Sequence, residues 1–371
     1  MHVVVTEDAP LRVGIVGVGW GTIVHVPAFR ATPGYEVAAL CSRTPSKLEA
    51  AAAKSGVVDT STDWEDFVRR DDLDVISVAA PVALHHPITL AALAAGKHVL
   101  CEKPLAVTAA ECADMVRAAQ DSGTATATCF ELRWLPERST IGRLVRDGYV
   151  GDPYFVRLSQ SGAYWHPTRP LQSLWMYDLA EGGGYLNGLL AHDIDFVCSL
   201  FGRPVAVCAD VRSSIPMRPL PDGGTLAVTA DDTSALLLRL DSGALAVISA
   251  SVVGVHAAGA TFDAFGSAGT ITGGLGGRAG GPGLRAGTTA DGGLADVDGD
   301  TRVPAGDASI PQRGAAGPIR AMALMLEDWR PALAGGAPEI PVPSLADGWV
   351  VQQVIEAARA SSAGAGWVHL P

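Results

Sequence analysis

The stretch Leu11–Thr22, LRVGIVGVGWGT, limits what this chain can fold into more than any other. Val13 to Val16 is a short apolar run of buried-strand character. It enters Gly17, Gly19 and Gly21 before helix-like sequence begins near Thr22. Glycines at such a strand–turn–helix junction let the backbone turn tightly and approach a pyrophosphate. The bare N–H groups and dipole of the helix N-terminus then meet the phosphate charge. The third glycine of a G-x-G-x-x-G spacing falls on Thr22, with Gly21 one place earlier. Gly17, Gly19, Trp20, Gly21 and Thr22 are therefore the expected cofactor contacts of this turn.

Strand-like and helix-like segments alternate from here to about Phe130. Ile23–Arg30 reads as a helix with Pro27 marking a break or kink. Glu36–Cys41, Asp74–Ala80, His98–Glu102 and Thr124–Phe130 read as strands. Pro45 starts a helix behind Thr44 and Gly56 closes it. Thr62 with Glu65, and Thr108 with Glu111, fit capping boxes. Helices of this length between strands imply right-handed crossovers and a doubly wound, mostly parallel α/β sheet. Beyond it the strand candidates Pro153–Gln160, Val205–Val211, Ser234–Leu240, Ala244–Ser251 and Thr261–Phe265 are joined by short turns. They predict an α+β region with a large, mainly antiparallel open sheet. Gly269–Gly293 is glycine-dense and reads as a surface loop, and two helices, about 319–334 and 348–360, end the chain. The expected division is a tail at 1–10, a dinucleotide-binding domain at 11–131 and a substrate-binding and oligomerisation domain at 132–371.

The chain has 371 residues and a net charge of −12, which argues against nucleic acid because phosphate backbones need a basic face. The six cysteines are scattered without a C-x-x-C pair and read as buried thiols of a reducing compartment. No metal-ligand spacing appears. MHVVVTEDAP lacks a basic signal-peptide start and no stretch suits a bilayer, so a cytoplasmic protein without a membrane partner is expected.

Which nicotinamide cofactor suits the turn is read from the end of the second strand. NAD sites place an acid there for the ribose hydroxyl; Ser42-Arg43-Thr44 offers an arginine between two hydroxyls instead, which suits a 2′-phosphate. NADP is favoured, with NAD the alternative if Arg43 stacks on adenine.

Between the third strand and Pro104 the residues Pro81, His85, Ala95-Gly96-Lys97-His98-Val99 and Glu102-Lys103-Pro104 form a long spaced pattern. It continues in Arg133 and Pro136, and in the triple glycine Gly182–Gly184 before His192. On these residues the chain resembles the oxidoreductases grouped with glucose–fructose oxidoreductase and inositol 2-dehydrogenase (the Gfo/Idh/MocA family). The resemblance covers most of the chain and is weakest from about Gly269 to Pro318. It implies an NAD(P)-dependent oxidoreductase acting on a sugar, polyol or related hydroxy or keto compound, as a homodimer or homotetramer. Lys103 and His192 would be catalytic. Ala80, Pro81, His85, Glu102 and Arg133 would line the cofactor or substrate cleft.

Lys103 ends a parallel strand, the edge where ligands bind in such sheets. Desolvated beside an oxidised, positive nicotinamide, it would exchange a proton with a substrate hydroxyl. The alternative is a surface lysine paired with Glu102. Family members carry an acid four residues before His192, facing the substrate from the same helix; here that position is Gly188. Asn187 beside it can bind a hydroxyl but cannot act as a base. His192 could equally be a packed helix histidine, with Asp195 orienting its ring or facing solvent. Trp165 offers a sugar-stacking face or a core residue. His25 and His98 are expected to be structural. The missing acid keeps a rival open, a non-catalytic NAD(P)-binding regulator of the same fold; a reductase of unsaturated or pyrrole-type substrates is a third reading.

Overall fold

A computed structural model describes residues 9–171, 173–220, 222–275, 283–311 and 315–371. The first ten elements in chain order are β1 (Leu11–Val16), α1 (Val26–Ala31), β2 (Tyr35–Cys41), α2 (Pro45–Ser55), β3 (Asp59–Ser61), α3 (Trp64–Phe67), β4 (Val75–Val78), α4 (His85–Ala94), β5 (His98–Cys101) and α5 (Ala109–Ser122). With β6 (Thr126–Thr128) they build a six-stranded sheet in the order β3-β2-β1-β4-β5-β6, parallel throughout. The order reverses between β1 and β4, the switch point where such sheets bind ligands beyond their carboxyl ends. Local chemistry accounts for most boundaries. Gly56 and Gly123 take left-handed backbone to end α2 and α5, and Thr108 with Glu111 forms the expected capping box. Asp63 rather than Thr62 caps α3, accepting from the Glu65 N–H at 2.8 Å. Thr44 holds the cap position of α2 without a side-chain bond.

The remaining elements are α6 (Pro136–Arg146), β7 (Pro153–Ser161), α7 (Leu190–Phe201), β8 (Pro204–Arg212), β9 (Met217–Pro219), β10 (Thr225–Ala227), β11 (Thr233–Leu240), β12 (Leu245–Ser251), β13 (Ala260–Gly266), β14 (Gly269–Gly274), β15 (Arg285–Thr288), β16 (Ala295–Asp296), α8 (Ala316–Leu333), α9 (Leu345–Ala360) and β17 (Val368–His369). A nine-stranded sheet runs β16-β15-β14-β13-β7-β12-β11-β8-β17, antiparallel at every pair except β7–β12. Its inner face carries Val156, Leu158, Leu236, Leu238, Ile248 and Phe262, all fully buried, and the α7 residue Phe196 meets Phe262 edge-on at 6.0 Å.

Two expectations need correction. Residues 269–293 were expected as a loop, yet β14 and β15 pair within them; residues 276–282 lie outside the described residues. The glycines serve close strand contact there: a Cβ on Gly269 would come within 2.7 Å of the Tyr149 carbonyl oxygen, and one on Gly287 within 2.6 Å of Gly293 O. The chain also divides differently from a single cut near 131. One compact unit runs to Leu135 and includes Arg302–Trp349; the other holds Pro136–Thr301 and Val350–Pro371. The physical reason lies in α8. Met322, Leu326 and Trp329 are buried in one cluster with Val13, Phe29 and Tyr35, and the Tyr35 hydroxyl donates to Leu326 O at 3.1 Å.

Candidate active site

In the first unit the glycine turn leaves β1 through Gly17, whose φ is +108°. A side chain there would lie 2.2 Å from the Ala79 carbonyl oxygen, so only glycine lets this turn press on the end of β4. Around Gly19 nothing stands within 4 Å of where a Cβ would be. This exposed, bare backbone fits the close approach of a dinucleotide pyrophosphate. The third-glycine function falls to Gly21, where a Cβ would meet Ile15 Cγ2 at 2.9 Å. Thr22 instead turns its hydroxyl onto Val18 O at 2.7 Å. A π-helical turn, Gly21–His25, follows before α1 begins with Pro27 in its first turn. Trp20 is exposed beside the turn, and Arg43 is exposed just beyond β2, next to the half-buried Ser42.

Lys103, half-buried, follows β5. Only β4 separates β5 from β1, so the glycine turn and Lys103 leave the same sheet edge. The Lys103–Pro104 peptide is cis. Behind it lies a buried relay. Glu102 Oε2 accepts the Lys103 backbone N–H at 3.0 Å, Glu102 Oε1 accepts from His25 Nε2 at 3.0 Å, and His25 Nδ1 meets the Ser77 hydroxyl at 2.7 Å. With Glu102 ionised, His25 Nε2 is the donor of that bond. Glu102 thus holds the backbone of Lys103. His85 bridges the same turn, with Nε2 2.8 Å from Ala80 O and Nδ1 3.0 Å from Pro104 O. Burial holds His85 below its ordinary value against the pull of those carbonyls, so the neutral ring donates to one of them at a time. His98 accepts the Ala125 N–H at 3.0 Å, and Arg133 pairs with Asp347 at 3.3 Å.

His25, Glu102 and Cys129 bring one potential ligand atom each within 4.8 Å of one another, a cluster that sequence spacing does not reveal. Burial drives the Cys129 thiol far up, keeping it protonated, and the other two groups bond each other.

Burial pushes the Glu102 carboxyl up, but the hydrogen bond and attraction of His25, with the charge and N–H of Lys103, outweigh it, so the net direction is down. A depressed carboxyl contributes stability that is present above its unfolded value and lost as pH falls through the folded one. Glu102→Gln should therefore be less stable than the wild type at pH 7. Urea unfolding below the ordinary Glu value of 4.5 should show the gap narrowing.

In the second unit His192 is 3% exposed in the first turn of α7. The expected helix opening at the triple glycine is not there: residues 185–189 form turns and α7 begins at Leu190, so no helical four-residue spacing links position 188 to His192. A Cβ on Gly188 would lie 3.1 Å from Gly184 O, a close contact that a side chain here would need a shift of a few tenths of an ångström to relieve. Asn187 binds its own loop, donating to Gly182 O and Gly183 O at 3.2 Å each and accepting from Arg359 at 3.0 Å. Asp195 is 2% exposed, which removes the solvent-facing reading. Trp165 is 4% exposed, its ring 5.0 Å from Tyr177 and 6.2 Å from Tyr185, which favours the core reading over sugar stacking.

Sequence reasoning missed what surrounds these residues. Asp231 accepts the Leu186 N–H at 2.7 Å and lies 3.6 Å from Arg359, pinning the glycine turn. Arg138 and Asp193 form an ion pair at 3% and 0% side-chain exposure, joined by Gln160 at 3.3 Å. Adjacency to His192 in the chain was the one available signal for Asp193.

The sequence matches the oxidoreductase family with an NAD-binding Rossmann fold over residues 11–129, and the GFO/IDH/MocA C-terminal domain over residues 139–272. Levoglucosan dehydrogenase of Pseudarthrobacter phenanthrenivorans is 30% identical over 65% of this chain and 67% of its own length. A scyllo-inositol 2-dehydrogenase (NADP(+)) of Bacillus subtilis is 29% identical over 55% of each chain. A levoglucosan dehydrogenase structure in complex with NADH and L-sorbose superposes with a TM-score of 0.83 at 27% identity, covering 98% of this chain and 99% of that one. Homologues are named dehydrogenases and reductases of sugars and polyols, and this one is an NAD(P)-dependent oxidoreductase. With the parallel sheet, the glycine turn and Glu102-Lys103-Pro104 in place, the chain belongs to the Gfo/Idh/MocA oxidoreductase family.

Proposed function

We propose that this protein is an NADP-dependent dehydrogenase of a sugar or polyol, cytoplasmic and homo-oligomeric, with Lys103 as acid–base and His192 in support. The observation that carries the reading is the shared sheet edge. The bare Gly17–Gly19 backbone and the relay-held Lys103 lie two strands apart at the switch point. Gly17, Gly19, Trp20 and Gly21 would hold the pyrophosphate side of the cofactor, and Ser42, Arg43 and Thr44 its ribose. The bound nicotinamide supplies the hydride acceptor. Glu102 and His25 orient the backbone of Lys103, and its ammonium or amine moves the hydroxyl proton at Nζ. Purified protein tested with NADP+ and NAD+ against levoglucosan, pentoses, hexoses and inositols, by absorbance of the reduced cofactor, should turn over at least one. Gly188 supports the regulator reading, and tight cofactor binding with no turnover across such a panel would favour it.

Arg43 is the NADP determinant in this reading. Arg43→Asp should shift the kcat/KM preference toward NAD+ by roughly a hundredfold, through loss of a fork-shaped phosphate partner and gain of a repelling charge. The association surface proposed is the outer face of the nine-stranded sheet. There Phe155 and Phe265 stack at 6.2 Å, and Leu237 and Leu245 are each 38% exposed. Phe265→Glu should reduce the mass seen by light scattering; an unchanged mass would refute this surface.

A further inference from the structure

The hairpin of β9 and β10 buries a charge for which the described residues supply no counter-group. Arg218 is 2% exposed, and among the described residues neither its Nε nor its Nη2 finds a hydrogen-bond acceptor. Its guanidinium lies over the Tyr177 ring, Cζ 4.9 Å from the centroid. Stacking of this kind returns only a small part of what burying an uncompensated ion costs. Water can satisfy N–H groups there but cannot balance the charge. Arg218 is also among the residues lining a cavity of about 230 Å³, with Arg169, Pro170, Leu171, Pro219 and Leu220. Among the described residues no carboxylate lines it. Two arginines lining one small cavity favour an anion between them, and the planar N–H fork of arginine matches an oxyanion.

We propose that this cavity binds a small oxyanion, a carboxylate or phosphate group whose apolar remainder rests on the prolines and leucines. Arg218 is the buried fork and Arg169 the mouth of the site. The inference is independent of the dehydrogenase reading, because it concerns binding and requires no turnover.

The test is calorimetric titration of the intact protein at low ionic strength with inorganic phosphate and, separately, benzoate. At least one should bind once per chain at millimolar affinity or tighter, and comparison of the two identifies which oxyanion the site takes. Arg218→Lys keeps the charge but loses the fork and should weaken binding roughly tenfold. Arg169→Gln changes an exposed residue, leaves folding intact and should weaken binding several-fold; it decides alone should Arg218→Lys fail to fold. Absence of binding by both probes overturns the proposal. So does binding undiminished in every folded variant, which would place the anion elsewhere, as at the Gly17–Gly21 turn.

Discussion

Replacing Lys103 with alanine should lower kcat by about 10²–10⁴-fold, the usual contribution of a positioned acid or base, while cofactor affinity stays within about twofold. The separation follows from geometry. The glycine turn that would hold the pyrophosphate leaves β1, and Lys103 leaves β5, so deleting one side chain does not disturb the other's backbone. Stopped-flow turnover with fluorescence titration of reduced cofactor measures both quantities. Undiminished kcat would remove Lys103 as the proton carrier. Glu102→Gln gives a graded companion: the amide oxygen still accepts one N–H, so kcat should fall less than in the alanine variant of Lys103.

The second large effect is structural. Arg138→Met should destabilise the second unit by about 3–5 kcal/mol, because it strands a buried carboxylate. Burial raises the Asp193 carboxyl and Arg138 opposes the rise, so removing the cation pushes it further up. At about 2–4 °C per kcal/mol for a unit of this size, calorimetry should show that transition falling by roughly 6–20 °C. Adding Asp193→Leu should recover much of the loss, since two apolar groups leave no charge behind. A single-variant loss below about 1 kcal/mol would mean that solvent reaches the pair.

Much of the first unit was readable in advance because its signals are local. The glycine turn, the apolar strands and the Thr108–Glu111 cap each depend on residues within a few places of one another, and Glu102-Lys103-Pro104 is contiguous. The relay behind Lys103 was not readable. Its members His25, Ser77 and Glu102 stand 52 and 77 residues apart along the chain, and only the parallel pairing of β4 with β5 and the packing of the Gly21–His25 turn bring them together.

The second unit shows the reverse weighting. Alternating strands such as β11, buried at every second residue, declared themselves. Glycine-rich strands did not, because the close backbone contact that requires Gly269 and Gly287 exists only once their neighbours are in place. Sequence alone determined the doubly wound sheet, its glycine turn and the lysine at its edge, since periodicity and turn chemistry act over short distances. Tertiary structure alone decided that α8 completes the first unit, that Asn187 binds its own loop and that Arg138 neutralises Asp193. Burial and charge pairing are properties of neighbours in space, and the linear order of residues does not record them.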